Sequence, residues 1–417
     1  MSIVSMFTEF LTGMKPKERI WMPIDEKGTF NSKDPVLIQG TLSYMKDSLQ
    51  KVKNFKLTNK GLFRQSSQGN YTKFTELSWR LIEFFSESNG ESDKFGFSVF
   101  YSSIKVDFYV TSEHELLLWK EKLESICICV DFADNYVVIK KLGAGKSGEV
   151  FLVEDLLTRK EYAMKCIKKK TIMSERRLES LYNEINIMRN LNHPYIIKLH
   201  KVYENEKCIK MILDYCPFGT LYSRLLTRKK FDEKTAKNFS RKLLETVDFL
   251  HRNGVMHRDI KLENILMTSD SDDTSFKLGD FGLSCKVQNT HYLRCGSPGY
   301  VAPEILRDKK YNHKADIFSC GIVVFALVVG YLPFTGENHN EILLNNGKCK
   351  INFENKSWKK VSYPVIDLVS ELLDPNPEFR LDAAEALIKP WLVYKNKIKE
   401  KSPVTDVFCM ESTVFGM

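Results

Sequence analysis

The passage His257-Arg258-Asp259-Ile260-Lys261-Leu262-Glu263-Asn264, with Asp280-Phe281-Gly282 and Ala302-Pro303-Glu304 downstream, constrains this chain more than any other. A lone acidic residue is normally surface charge. Here an acid (Asp259), an ammonium (Lys261) and an amide (Asn264) stand close together, and a second acid follows at Asp280. Carboxylates and an amide suit a hard divalent cation, and an ammonium beside them suits a phosphate. Upstream, Leu142-Gly143-Ala144-Gly145-Lys146-Ser147-Gly148-Glu149-Val150 lies between strand-like segments. Its glycines let the backbone approach phosphate oxygens and offer them N–H groups. Alone, this pattern also fits a Rossmann turn or a plain hairpin. The segment Glu161-Tyr162-Ala163-Met164-Lys165 is strand-like rather than helical, which argues against the Rossmann reading.

Taken in order, these motifs resemble the eukaryotic protein kinase family over residues 136–395. The resemblance implies an α+β chain with a bilobal kinase fold. It implies that Lys165 contacts the ATP α- and β-phosphates and pairs with Glu184, the best match among Glu175, Glu179 and Glu184. Asp259 would orient the substrate hydroxyl and accept its proton, and Asn264 and Asp280 would hold Mg²⁺. Lys261 matches the serine/threonine branch, with its ammonium beside the transferred phosphate. Leu142, Val150, Ala163 and Leu266 match the adenine sandwich, Leu213 the gatekeeper and Asp214 to Cys216 the hinge. For the apolar members, core packing is the competing reading. In the lower lobe, Asp316 begins a DxFSxG helix start and Arg380 fits the arginine that pairs with Glu304. Cys295 to Tyr300 and Tyr331 to Phe334 are most similar to the calmodulin-dependent kinase group.

Two positions depart from that pattern. Leu293 stands where many relatives carry a phosphorylated threonine, so activation is expected to use Thr290 or Tyr292, or to need no phosphate, and the last is preferred. Thr220 stands where arginine-directed relatives place a glutamate, so such selectivity is not expected, although Glu263 remains. Calcium control is not inferred.

Residues 35–126 read differently. Strand-like runs cover Val36–Met45, Val52–Leu57, Leu62–Gln65, Trp79–Phe85, Phe95–Tyr101 and Ile104–Val110, with Gly61 closing a tight turn after Thr58-Asn59-Lys60. A helix then opens at the capping-box pattern Ser112-Glu113-His114-Glu115 and places Leu116, Trp119, Leu123 and Ile126 on one stripe. A small β-sandwich or barrel closed by one helix bearing a tryptophan resembles a pleckstrin-homology domain. The resemblance implies a phosphoinositide or anionic-membrane partner met by Lys46, Lys51 and Lys53, expected in the loop between the first two strands. Lys56, Lys60 and Arg64 lie just beyond. Lys53 replaces the family's usual arginine and loses its bidentate fork. A solvated loop or a protein-docking module is the competing reading.

The remainder bounds these readings. A chain of 417 residues predicts two or three units, with 43% hydrophobic and 28% charged residues ordinary for a globular protein. The +9 net charge permits acidic partners without choosing one; nucleic acid is not expected. Ten cysteines without matched CxxC pairs argue against structural zinc and for reduced thiols in the cytoplasm. No signal peptide or myristoylation pattern is found, Glu9 interrupting the first apolar run and Ser occupying position 2. Cys320 to Phe334 is shorter than the ~20 residues of a membrane span and reads as a core helix. A leader (1–34), an apolar connector (127–135) whose flanking domains should touch, and a tail (396–417) complete the expected layout. A serine/threonine kinase is the expected function, recruited or regulated through its N-terminal module; a pseudokinase scaffold is the rival.

Overall fold

The computed structural model describes residues 30–31, 33–46, 48–88, 93–100, 105–130, 132–145, 148–172, 174–287, 294–307 and 310–393. Residues 1–29 of the expected leader, the tail, Lys146, Ser147, Thr290, Tyr292 and Leu293 lie outside the described residues.

Alternating apolar residues build the N-terminal module as antiparallel strands β1 (Ile38–Lys46), β2 (Leu49–Thr58), β3 (Gly61–Gln65), β4 (Tyr71–Thr75), β5 (Leu81–Ser88), β6 (Asp93–Phe100) and β7 (Lys105–Val110). Strand β4 escapes a reading by periodicity because it is short and follows the polar loop Ser66-Ser67-Gln68-Gly69-Asn70. Gly61 has φ +130°, and a Cβ there would meet the Thr75 carbonyl oxygen at 2.3 Å. Glycine therefore lets β4 close on the hairpin. Helix α1 (Glu113–Ile126) starts where the capping pattern places it, the Ser112 hydroxyl accepting from Glu115 N at 3.2 Å. The Glu115 carboxylate reaches back to Thr111 N at 3.0 Å rather than to Ser112. Leu116, Trp119, Leu123 and Ile126 are all buried, with Trp119 against Phe97. Phe30 packs edge-on to Phe63, so module packing begins inside the expected leader.

One expectation about this module is corrected. Lys46 ends β1, and Lys51 and Lys53 lie within β2, so all three are strand residues rather than loop residues. The hairpin is tight because pairing continues to Lys46↔Leu49.

The connector is structural. Ile128–Cys129 forms β8, parallel both to β5 (Leu81↔Ile128) and to β12 (Leu199–Glu204; Val202↔Ile128). Through it the module joins β9 (Tyr136–Gly145), β10 (Gly148–Asp155), β11 (Glu161–Lys168) and β13 (Cys208–Asp214) in one sheet. Among the described residues that sheet has 13 strands, in the order β4-β3-β2-β1-β7-β6-β5-β8-β12-β13-β11-β10-β9. The cores merge as well. Trp79, Leu81 and Ile128 belong to the main core, and Tyr203 and Ile212 belong to the module's core.

Helix α2 (Glu175–Asn190) crosses the upper lobe, capped by Ser174. The lower lobe is helical. Helix α3 (Leu221–Arg228) leads into α4 (Glu233–Arg252), which buries Phe239, Leu243, Val247 and Leu250 at helical spacing. Helix α5 (Lys314–Val329) buries every residue from Ala315 to Val329, the core helix expected of its apolar run. Among the described residues no helix is long and apolar enough to cross a membrane.

Candidate active site between the lobes

Register puts the upper half of the site together. Directly paired residues share a face of a sheet. The pairs Val150↔Lys165 and Ala163↔Leu213, with Lys165 two residues from Ala163, therefore set Val150, Ala163, Lys165 and Leu213 on one face. Gly143 pairs with Val150 and Gly145 with Gly148, so Leu142, Gly143, Ala144 and Gly145 form the edge above them. Gly148 has φ +134°, and a Cβ there would lie 2.6 Å from the Cys166 carbonyl oxygen. Leu266 belongs to the lower-lobe strand Ile265–Met267, only partly buried and bridged to Thr220.

The buried Lys165 ammonium lies 2.6 Å from Glu184 Oε1 and 3.7 Å from Asp280 Oδ1. Burial alone would pull its pKa down, but these two carboxylates outweigh it and hold the pKa above the ordinary lysine value. The choice among helix acids is thus resolved: Glu184 is buried and Glu179 is exposed. Breaking such a buried pair would cost about 3–5 kcal/mol, since one charge would remain without its counterpart. Asp280 adopts a left-handed backbone (φ 56°, ψ 77°), and the next residue, Phe281, is buried against the His257 ring at 4.8 Å. Ser180 Oγ on α2 donates to the Gly282 carbonyl at 2.7 Å, tying this turn to the helix that carries Glu184.

The lower half is a hydrogen-bonded knot around Asp259. Its Oδ2 accepts from Lys261 Nζ at 2.7 Å and from Asn264 Nδ2 at 2.9 Å. Its Oδ1 accepts from Ser297 Oγ at 2.7 Å, and Lys261 Nζ also reaches Ser297 Oγ at 2.6 Å. Asn264 Nδ2 donates to the Asp259 carbonyl as well, so its amide hydrogens are directed to Asp259 and Oδ1 is the atom left to face a cation. The knot rests on Asp316, at the start of α5, whose carboxylate accepts from His257 N and Arg258 N, each at 2.8 Å. Burial would raise the Asp316 pKa, but bonds from His251 and Arg258 N hold it below the usual carboxylate value. Arg380 grips Glu304 with two bonds, 2.6 and 3.0 Å, the pairing that the family resemblance implies.

At the hinge the Asp214 carboxylate is fully engaged, taking bonds from His200 Nε2 at 2.8 Å, Lys198 N at 3.0 Å and Lys277 Nζ at 2.9 Å. It thereby spans both lobes. Cys216 is half-buried beyond it. Thr220 caps α3 in a reciprocal pair with Ser223, so its side chain serves the helix. Sequence reasoning missed Ser297 and Ser180. A hydroxyl has no charge signature, and only contact with Asp259 or Gly282 reveals its use.

Lys46, Lys51 and Lys53 lie far along the shared sheet from this site. Of their basic neighbours, Lys60 pairs with Asp34 at 2.7 Å, Lys56 lies over the Tyr71 ring at 4.4 Å, and Arg64 donates to Tyr44 Oη at 2.7 Å.

Comparison with known proteins agrees with this geometry. A probable serine/threonine-protein kinase 2 of Plasmodium falciparum is 36% identical over 265 residues, 63% of this chain and 51% of that one. A calcium/calmodulin-dependent protein kinase type 1 of Caenorhabditis briggsae is 35% identical over 254 residues, covering 60% and 70%. Calcium-dependent protein kinase 4 of Arabidopsis thaliana is 35% identical over 271 residues, covering 64% and 54%. The chain thus spans about half the length of the first of these relatives. The family model described as protein kinase domain matches residues 136–392, the stretch that builds both halves of the cleft, and on that match the chain belongs to the protein kinase family.

Proposed function

We propose that this chain is a catalytically competent serine/threonine protein kinase that moves the γ-phosphoryl group of ATP to protein hydroxyls. The observation that carries the reading is the joint assembly of Lys165 with Glu184 and of Asp259 with Lys261, Asn264 and Ser297. A scaffold has no need to hold these groups so tightly. In the proposed reaction Gly143, Gly145 and Gly148 give backbone N–H groups to the phosphates, and Lys165 neutralises their charge. Asp259 takes the proton of the attacking hydroxyl, and Lys261 balances charge on the group in transit. The free Oδ1 of Asn264 and the projecting carboxylate of Asp280 fit Mg²⁺, which when bound would neutralise phosphate charge. Leu142, Val150, Ala163, Leu213 and Leu266 would enclose the adenine, and the Asp214–Cys216 backbone would bond its edge. Arg258 donates to Leu283 O at 2.6 Å and to Tyr311 Oη at 3.2 Å, so protein groups already hold it. This favours activation without a phosphate, and phosphatase treatment that abolishes activity would contradict it. The test of the main reading is ATP- and Mg²⁺-dependent phosphorylation of a Ser/Thr peptide library, with Asp259→Asn as control. No transfer by the wild type would favour the scaffold.

The module is proposed to be PH-like and to bind anionic membrane from the cytoplasm. The pairs Tyr44↔Lys51, Leu42↔Lys53 and Phe55↔Arg64 put Lys51, Lys53 and Arg64 on the core-facing side of β1–β3, at its open end, with Lys46 beside them. Met45, Leu49 and Val52, each more than half exposed, flank these lysines at the hairpin tip. Cations interleaved with exposed apolar side chains suit a lipid surface. Sedimentation with phosphoinositide vesicles but not with phosphatidylcholine vesicles would support this, and equal sedimentation with neither would end it.

A further inference from the structure

Helix α2 carries Glu184, and its placement decides whether Lys165 has a partner. On a helix each residue turns by roughly 100°, so Tyr182 and Arg189, seven apart, form one stripe, with Glu184 roughly 140–160° away around the axis. The site therefore touches one side of α2 and the N-terminal module touches the other. Trp79, between β4 and β5, is buried and stacks on the Tyr182 ring, with centroids 4.3 Å apart and planes 24° apart. The Arg189 guanidinium lies 5.2 Å from the centroid of the same indole. It also donates to the carbonyls of Ser78 in the module and of Cys127 at the start of the connector, the latter at 2.7 Å. Burial lowers the Arg189 pKa to about 10, so this charge is desolvated at a contact with the module and its connector. Behind the latch, Lys201 on β12 pairs with Glu124 of α1 at 2.8 Å.

We infer that Trp79 and Arg189 are positioning residues for phosphoryl transfer: they latch the N-terminal module to the back of α2 and so hold Glu184 against Lys165. The module is then part of the catalytic unit rather than a tethered address label. This rests on the kinase reading for its kinetic arm only.

The full chain is compared with Trp79→Ala, Trp79→Phe, Arg189→Ala and the double variant Trp79→Ala/Glu184→Gln. Folding is checked by circular dichroism and thermal melting. Trp79→Ala and Arg189→Ala are expected to lower kcat by roughly tenfold with peptide KM within about twofold, while Trp79→Phe recovers most of the rate. In the Glu184→Gln background, Trp79→Ala should change the residual rate by less than about twofold, because both act on one pair. Amide exchange in 175–190 should quicken in Trp79→Ala but not in Trp79→Phe. An unaltered kcat with unaltered exchange overturns the inference, and so does a loss that multiplies fully in the Glu184→Gln background. If the wild type transfers no phosphate, the function reading fails, and exchange in α2 still decides the latch.

Discussion

Two sets of lysines occupy one continuous sheet, and their surroundings differ sharply. Lys165, on β11, is buried and held by Glu184 and Asp280. Lys51 and Lys53, on β2, stand at the module's open end, and among the described residues no carboxylate pairs with either. A buried cation must have its counter-charge at a fixed place, so its partners' identities and spacings are constrained. An exposed cation needs only water, and nothing nearby is obliged to match it. The kinase half is therefore written in the sequence as motifs. The module is written only as periodicity and composition.

The comparison breaks most severely at the catalytic acid. Asp259→Asn keeps the shape of the knot but removes the proton acceptor, and should lower kcat by roughly 10³-fold. Lys165→Met should do comparable damage while leaving the module's vesicle binding intact. A peptide-phosphorylation assay beside vesicle sedimentation checks both. If Lys165→Met abolished vesicle binding too, the two lysine sets would not be independent.

Legibility followed the same physics. Asp259, Asn264 and Asp280 stood out because their joint spacing is rare by chance, while the glycine edge, Lys165 and the Glu304–Arg380 pair were read through the family resemblance that those residues carry. Glu184 was the best match among three neighbouring helix acids, and its 2.6 Å contact with Lys165 and its burial set it apart from exposed Glu179. Lys46 and Lys51 fall outside the strand-like runs Val36–Met45 and Val52–Leu57 because neither continues the apolar alternation, and Lys53, inside the second run, was expected in the loop by the resemblance alone. The fusion of the two units was visible only as an apolar connector. A parallel bridge as short as Ile128–Cys129 has no periodicity to read, yet it merges two sheets.

Arg380→Ala should have the next largest effect, on stability. The fully buried guanidinium leaves behind a Glu304 carboxylate that is itself buried, at a cost of about 3–5 kcal/mol. Arg380→Lys should fall in between, keeping charge without the fork. Thermal melting should show the lower lobe as the part that moves. In contrast, Lys51→Ala and Lys53→Ala should barely alter melting. Each should weaken binding to phosphoinositide vesicles by about fivefold, the equivalent of about 1 kcal/mol. Equal losses on neutral vesicles would show apolar insertion rather than charge at work.

The most local test falls on Asp214, a half-buried carboxylate whose role at the hinge was assigned to its backbone. Burial opposes ionisation of its carboxyl, but His200, Lys277 and Lys198 N outweigh burial and hold its pKa below the usual value. A folded-state pKa beneath the unfolded one, about 3.9, gives stability that is fully present above that pH. It is lost as pH falls through the depressed folded value. Asp214→Asn should therefore melt below the wild type at pH 7, and the gap should narrow as pH drops below about 4. Melting curves collected between pH 7 and pH 3 test this directly. A gap that stayed constant across that range would mean that the carboxylate's charge contributes nothing, and that neutral hydrogen bonds alone join the hinge to the two lobes.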